Sequence, residues 1–130
     1  MSAACSKVSA WVSSLPPADR DLPLISCCHK LWSPNEILAA CLAGSREAAS
    51  LIQILEAHGF GTGDSPVDVE EIARRRLERI LRGVHVLIAQ NPFVLSPEEL
   101  LRKIREGRGI GRRLLEAEIL RMVEQVSKYG

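Results

Sequence analysis

Arginine and glycine dominate residues 105–113, whose sequence REGRGIGRR contains four arginines and three glycines. Glycines at the start of a helix let backbone N–H groups face outward, and the positive end of the helix dipole favours an anion there. The segment therefore predicts a phosphate-binding turn. The alternative is an ordinary turn between amphipathic helices with solvated arginines. The candidate contacts are Arg102, Arg105, Arg108, Gly109, Gly111, Arg112 and Arg113.

The Gly-Ile-Gly sequence of residues 109–111 resembles the hairpin of helix-hairpin-helix DNA-binding modules, in which glycine amides meet a phosphate. This resemblance is confined to the turn and its flanking helices. It departs from the family pattern at residues 106–108, where Glu-Gly-Arg replaces an apolar residue and a small turn residue. The resemblance implies contact with a nucleic-acid backbone rather than recognition of base edges.

A second basic group lies in the sequence IARRRLERILRG of residues 72–83, where Arg75, Arg79 and Arg82 fall on one helical face. Such a face can follow a phosphate backbone or an acidic partner. Glutamates four residues before several of these arginines offer the alternative of a solvated face supported by i,i+4 ion pairs. Both interpretations remain open at this stage.

Residues 33–60 contain a short helix, a glycine turn and a second helix that begins near Ser45 and Arg46. This order resembles the helix-turn-helix of small transcription regulators and implies that Ser45, Arg46 and Ser50 face outward from a recognition helix. The turn is shorter than in that family, and the second helix carries little positive charge. An ordinary pair of antiparallel helices is the preferred interpretation.

Catalytic chemistry is not indicated, because no nucleophile, base and orienting group occur together in a recognisable pattern. Arg79 and His85 have a spacing that resembles the Arg-x5-His pair of helical RNases, and His29 and His58 are dispersed elsewhere. Six residues rotate a helix by about 240°, so Arg79 and His85 would not converge on one face. We predict a non-enzymatic protein that needs no cofactor.

Metal binding is also not predicted from the cysteines. The four of them follow no CxxC spacing, and vicinal cysteines match no common structural zinc pattern. We interpret them as small buried hydrophobic residues, and the sequence does not establish whether any pair forms a disulfide. They are Cys5, Cys27, Cys28 and Cys41.

Helix starts are marked by three Ser-Pro sequences, at residues 33, 65 and 96, each followed by an acidic residue. The serine oxygen accepts a backbone N–H, proline has no N–H to lose, and the carboxylate suits the positive end of the dipole. With the apolar periodicity these signals predict seven helices. They cover residues 3–14, 19–31, 34–43, 46–58, about 66–90, 97–106 and about 111–127.

No segment alternates as a half-buried strand would, so the predicted fold is all-α. We expect a compact bundle of six or seven helices around the long helix at about 66–90, whose apolar residues form one stripe. The 130 residues fit a single helical domain over 1–130, with 1–18 as a peripheral N-terminal helix.

Composition narrows the partners. The net charge of +1 argues against indiscriminate coating of nucleic acid, whereas the clustering of arginine supports a local site. Few aromatic residues argue against base stacking. We see no signal peptide and no apolar run of membrane length, and therefore expect a cytoplasmic protein. The sequence favours a non-enzymatic module that contacts DNA or RNA phosphates. The alternative is a helical protein-interaction subunit or homodimer.

Overall fold

The computed structural model describes residues 2–89 and 97–130, and the side chains there apart from those of residues 83–89 and 97. The described chain is mostly helical, which confirms the helical class, but it also contains a short hairpin that the sequence analysis did not predict. Its elements are α1 (Ala3–Ser14), a 3-10 helix (Pro17–Asp21), β1 (Ile25–Cys27), β2 (Lys30–Trp32), α2 (Pro34–Ala43), α3 (Ala48–Glu56), α4 (Val69–Ala89), α5 (Pro97–Glu106) and α6 (Ile110–Ser127).

The antiparallel pair of β1 and β2 replaces most of the helix predicted over residues 19–31, so that prediction was wrong. All three residues of β1 are buried, Ser26 among them, and so short a buried segment does not distinguish a strand from a helix. The two-residue turn places Cys28 at φ 56° and His29 at φ 63°, as a type I′ turn requires. Such turns usually contain Asn-Gly, and that signal is missing here.

The predicted capping at Ser33 is confirmed at the start of α2. The Ser33 hydroxyl accepts the Glu36 amide at 3.2 Å, and a Glu36 carboxylate oxygen accepts the Ser33 amide at 3.1 Å. Both partners of a capping box are therefore present. The helix ends at Gly44, which adopts φ 66° in the left-handed region.

The predicted start at Ser65 was wrong by several residues, because α4 begins at Val69. Asp68 supplies the cap instead, since its carboxylate accepts the Glu71 amide at 2.8 Å. The Ser65 hydroxyl is hydrogen-bonded to that of Ser26 on β1 and so is committed to a tertiary contact. The third predicted cap, Ser96, lies outside the described residues, although α5 does begin at Pro97 as expected.

Helix α3 is shorter at both ends than the predicted helix 46–58. Ser45 does not cap it: the Ser45 hydroxyl is buried and has no hydrogen-bond partner in the described part of the chain. The left-handed residue after α3 is His58, at φ 54°, although a glycine, Gly59, follows it directly. The order of α2 and α3 is that of the helix pair expected from residues 33–60.

The buried apolar side chains of the described residues form one continuous cluster. Helix α1 contributes Val8 and Trp11 to it, with exposed fractions of 0% and 2%. The Trp11 indole donates to the Gln125 carbonyl at 2.8 Å, which joins α1 to the end of α6. A disulfide between Cys5 and Cys41, with Cα atoms 5.6 Å apart, joins α1 to α2. Both cysteines are buried, as predicted, and the structure adds a disulfide that the sequence left undecided.

Candidate phosphate-binding hinge

The turn between α5 and α6, residues 107–109, is called the hinge below. Gly107 ends α5 at φ 68°, and its amide donates to the Lys103 and Ile104 carbonyls at 3.1 and 3.2 Å. Gly109 precedes α6 at φ 56° and ψ −127°. Residues with a side chain rarely adopt these conformations, which explains the two glycines.

Gly111, one turn further on, has a packing role. It is buried, and a Cβ atom built on it would lie 1.9 Å from the Lys103 carbonyl oxygen of α5. Its amide donates to the Arg108 carbonyl at 3.1 Å. The position of Gly111 therefore explains how α5 and α6 cross closely, and it gives no support to the predicted phosphate contact by Gly111.

Replacing Gly111 by alanine is expected to lower the free energy of unfolding by about 1–3 kcal/mol, because the added methyl group collides with backbone that cannot rotate away. Urea unfolding followed by circular dichroism measures the change. Gly63→Ala is the matched control, since nothing lies within 4 Å of the corresponding Cβ position. Equal stability of the two variants would contradict the close packing of α5 on α6.

Most arginines of the predicted site are neutralised by glutamates. The side chains of Arg102 and Arg105 are 67% and 63% exposed, so their ion pairs are weak. The ion pair between Arg112 and Glu70 joins α6 to α4. The N···O distances are 3.9 Å for Arg102–Glu106, 3.2 Å for Arg105–Glu78, 2.8 Å for Arg112–Glu70 and 3.1 Å for Arg112–Glu116.

Arg108 and Arg113 differ from these neighbours. Both are exposed, and within residues 2–89 and 97–130 neither forms an ion pair. In the sequence, Arg108 directly precedes Gly109 and Arg113 follows it by four residues. Gly109 is itself exposed and has open space at its Cβ position. The hinge thus combines two unneutralised guanidinium groups with the start of an 18-residue helix.

The arginines of α4 do not share one environment. Arg75 pairs with Glu71 at 3.1 Å, whereas Arg79 donates to the Asp21 carbonyl at 2.7 Å. Arg82 is exposed. Their predicted use as a continuous track beside the hinge remains a prediction. His85, the other member of the Arg-x5-His pair, lies outside the described side chains.

A set of charged residues that the sequence analysis missed lies between the 3-10 helix, α4 and α6. We call it the buried charge network: Asp19, Arg76, Glu118, Arg121 and Gln125. The Arg76 side chain is 0% exposed and donates to Glu118 at 2.7 Å and to Gln125 at 3.2 Å. The Gln125 amide donates to Asp19 at 2.8 Å. Position 76 follows Ile72 by four residues, so its place on the apolar face was the available signal.

Arg121 closes this network at the surface. Its guanidinium donates to both Asp19 carboxylate oxygens, at 2.9 and 2.8 Å, and to Glu118 at 3.2 Å. Partial burial opposes the charge, but the Glu118 and Asp19 carboxylates outweigh it and raise the pKa of Arg121 above its ordinary value. The network balances its charges internally, which is characteristic of a structural element.

A cleft of about 450 Å³ lies beside this network, with Leu22 and Ile80 among its apolar lining residues and Arg79 and Arg121 among its charged ones. Because Arg121 is already bound by two carboxylates and Arg79 by a carbonyl, the cleft offers no unsatisfied charge comparable to that of the hinge. The hinge is therefore the stronger candidate for binding an anion.

Comparison of the chain with protein-family models, with curated proteins and with solved structures finds no match. Function must therefore be inferred from the geometry. The described residues contain no cluster of three side chains suited to hold a metal ion. None of the helices in the same part of the chain combines the length and apolar character needed to cross a membrane.

Proposed function

We propose that this chain is a non-enzymatic module that binds the phosphate backbone of a nucleic acid at the hinge. Arg108 and Arg113 each contact a backbone phosphate, and the exposed backbone around Gly109 allows close approach of the nucleic acid. In this proposal the protein acts as one helical domain, arranged around the long helix α4, in the cytoplasm. The observation that carries it is the exposure of Arg108 and Arg113 without ion-pair partners in the described chain.

Glutamates of the protein and phosphates of a nucleic acid compete for the same arginines. An arginine already paired with glutamate gains little from a phosphate, because it exchanges one carboxylate partner for another. An unpaired exposed arginine exchanges only water and releases a counterion from the nucleic acid. Arg108 and Arg113 therefore bind phosphate more favourably than Arg105 and Arg112, although all four are close in sequence.

The distribution of charge along the sequence also favours attraction of a nucleic acid to the part of the chain that contains the hinge. Residues 69–130 contain thirteen Lys and Arg against nine Asp and Glu, a local net charge of +4. Residues 1–68 contain four against seven, a net charge of −3. The part of the sequence that carries the hinge is thus the part attracted to a polyanion, which favours encounter at low salt.

The test is a fluorescence-anisotropy titration of fluorescent duplex DNA and duplex RNA over a series of salt concentrations. Wild-type protein is expected to bind at low salt, with affinity that falls as salt rises. Arg108→Ala combined with Arg113→Ala should reduce the slope of log K against log salt by roughly 1.8, because two phosphate contacts are lost.

Arg105→Ala combined with Arg112→Ala is the matched control. It removes the same net charge from the same part of the chain, but both arginines are held by glutamates. We expect the control to change the slope much less than the test pair does. Absence of binding to either nucleic acid at low salt, or equal effects of the two pairs, would refute the proposal.

A second candidate function, association with another protein, is favoured by one observation on α6. Leu120 and Val123 are 70% and 45% exposed, and residues three apart lie on the same face of a helix. A second copy of this chain could cover them by pairing identical α6 faces, which is how symmetric dimers form. This candidate retains the helical scaffold and requires no role for the hinge.

Light scattering at several concentrations distinguishes the second candidate from the first. A dimer that Leu120→Ser with Val123→Ser converts to monomer would support it, with Leu42→Ser, at a 55% exposed site on α2, as the control. A monomer at every concentration would exclude the homodimer. Because the hinge titration is independent, each candidate has its own outcome.

A further inference from the structure

The β-hairpin carries an unusual feature at its turn, a pair of adjacent cysteines with their sulfurs in contact. The Sγ atoms of Cys27 and Cys28 lie 2.6 Å apart, and neither cysteine belongs to the Cys5–Cys41 disulfide. The two thiols differ in access: Cys27 is 1% exposed, whereas Cys28 is half-buried. Only the Cys28 thiol can therefore meet a molecule from solvent directly.

The backbone at this turn is a poor fit to its residues. Cys28 and His29 both have positive φ angles, of 56° and 63°, in a conformation that Asn and Gly adopt more readily. Locally unfavourable residues in a well-formed turn often serve a purpose other than stability. The purpose available to Cys28 is its thiol, which the turn brings against that of Cys27.

The surroundings of the Cys27 thiol also oppose its ionisation. Burial, the neighbouring Cys28 and the carboxylates of Asp64 and Glu47 raise the pKa of Cys27 to about 12. Cys27 therefore remains a protonated thiol while Cys28 reacts first. The Sγ contact then gives Cys27 a high effective concentration for a second, internal step.

We propose that Cys27 and Cys28 form a redox-active dithiol that exchanges with small-molecule disulfides. The Cys28 thiolate attacks one sulfur of the disulfide, forms a mixed disulfide and releases the first thiolate, which takes up the proton that Cys28 lost. Cys27 then gives up its proton and attacks the Cys28 Sγ, which forms the Cys27–Cys28 bond and releases the second thiol. The protein loses two electrons and two protons, and the small disulfide is reduced to two thiols.

The product is expected to be readily reversible. Consecutive Cα atoms across a trans peptide are about 3.8 Å apart, which is below the usual range for disulfides, so a ring closed between neighbouring residues is strained and easily reduced. Cys5 and Cys41, at 5.6 Å, lie within the usual range. The two disulfides therefore differ in role: the Cys5–Cys41 bond links two helices, and the Cys27–Cys28 bond forms and breaks.

Oxidised glutathione is the probe for this reaction, with mass spectrometry of the intact protein and of its peptides as the readout. Wild-type protein should lose two hydrogens from the peptide that contains Cys27 and Cys28 and should retain no glutathione. Cys27→Ser should retain a glutathione adduct on Cys28, because the resolving thiol is absent. Cys28→Ser should react at least roughly tenfold more slowly, because Cys27 is buried. A stable adduct on the wild type, or two unreacted thiols, would overturn the proposal.

A second measurement uses wild-type protein alone and so does not depend on how the variants fold. The Trp32 indole donates to the Cys27 carbonyl at 3.0 Å, whereas that of Trp11 donates to Gln125. The Trp32 indole N–H signal in an NMR spectrum should shift with oxidised glutathione and return with excess reduced glutathione, while the Trp11 signal stays in place. Two unchanged signals, or two that shift together, would contradict a local reaction at the turn.

Discussion

Arg76→Met is expected to lower the free energy of unfolding by about 3–5 kcal/mol, because it removes a fully buried member of the charge network. The change removes the guanidinium but keeps a long apolar side chain, so little cavity is formed. It leaves Glu118, only 3% exposed, with Arg121 at the surface as its one remaining cation among the described residues, so the network gains an excess negative charge. A buried carboxylate that has lost one of its two cations is poorly compensated for its lost hydration, and this favours unfolding. Urea unfolding followed by circular dichroism measures the loss.

Arg75→Met is the matched control, because it removes the same charge one residue earlier on α4. Arg75 is 49% exposed and pairs with Glu71 at the surface, so its loss should cost less than about 1 kcal/mol. Adding Glu118→Leu to Arg76→Met should recover part of the stability by removing the excess negative charge, while Arg121 keeps its bond to Asp19. Equal stability of the Arg76 and Arg75 variants would show that the buried charge network does not stabilise the fold.

Removal of the Cys5–Cys41 disulfide should cost nearly as much. The bond links residues with a sequence separation of 36, and restriction of the unfolded chain by a loop of that length stabilises the fold by about 4 kcal/mol. Alanine is the appropriate replacement, because both cysteines are buried and a serine hydroxyl would add a polar group to the core. The free energy of unfolding is measured under non-reducing conditions.

The two single variants provide the control for this experiment. Cys5→Ala and Cys41→Ala each break the same bond, so each alone should cost about as much as the two together. A reducing agent should lower the stability of the wild type towards that of the double variant and should leave the double variant unchanged. Additive effects of the single variants would mean that packing, rather than the cross-link, accounts for the loss.

Capping residues predicted a helix correctly where their side chains bond to the nearby backbone in the folded structure. The capping box at Ser33 and the helix 34–43 depend on residues within one turn of each other, and both are present. Ser65 carries a similar pattern, but its hydroxyl bonds to Ser26 across the fold and α4 begins later. Nothing in the local pattern of residues 65–68 identifies that distant partner.

The hairpin shows a different limit. Its strands have three residues each and β1 is buried throughout, so the segment lacks the alternation of buried and exposed positions that marks a half-buried strand. Its turn contains Cys28 and His29 in place of the residues that usually reveal such turns. Both the strand alternation and the usual turn residues were absent, so the sequence predicted a helix over residues 19–31.

The sequence identified the segment that contains the candidate site, but not which of its arginines lack an ion-pair partner. Clustering of arginine identified residues 102–113, and the structure places the hinge there. Which arginines are neutralised depends on glutamates far away in the sequence, such as Glu70 for Arg112 and Glu78 for Arg105. These pairs exist only after α4, α5 and α6 have packed, so the sequence could not separate Arg108 and Arg113 from their neighbours.

The hydrogen bond from the Trp11 indole to the Gln125 carbonyl affects how this chain folds during synthesis. It spans 114 positions, and the contacts of Asp19 with Arg121 and Gln125 span 102 and 106. During synthesis, α1 leaves the ribosome before α6 exists, and the part of its surface around Trp11 that α6 contacts is uncovered in that interval. Contacts of such range are slow to form. We therefore expect acquisition of protease resistance to await the emergence of α6 from the ribosome, and nascent forms truncated before α6 to require chaperones.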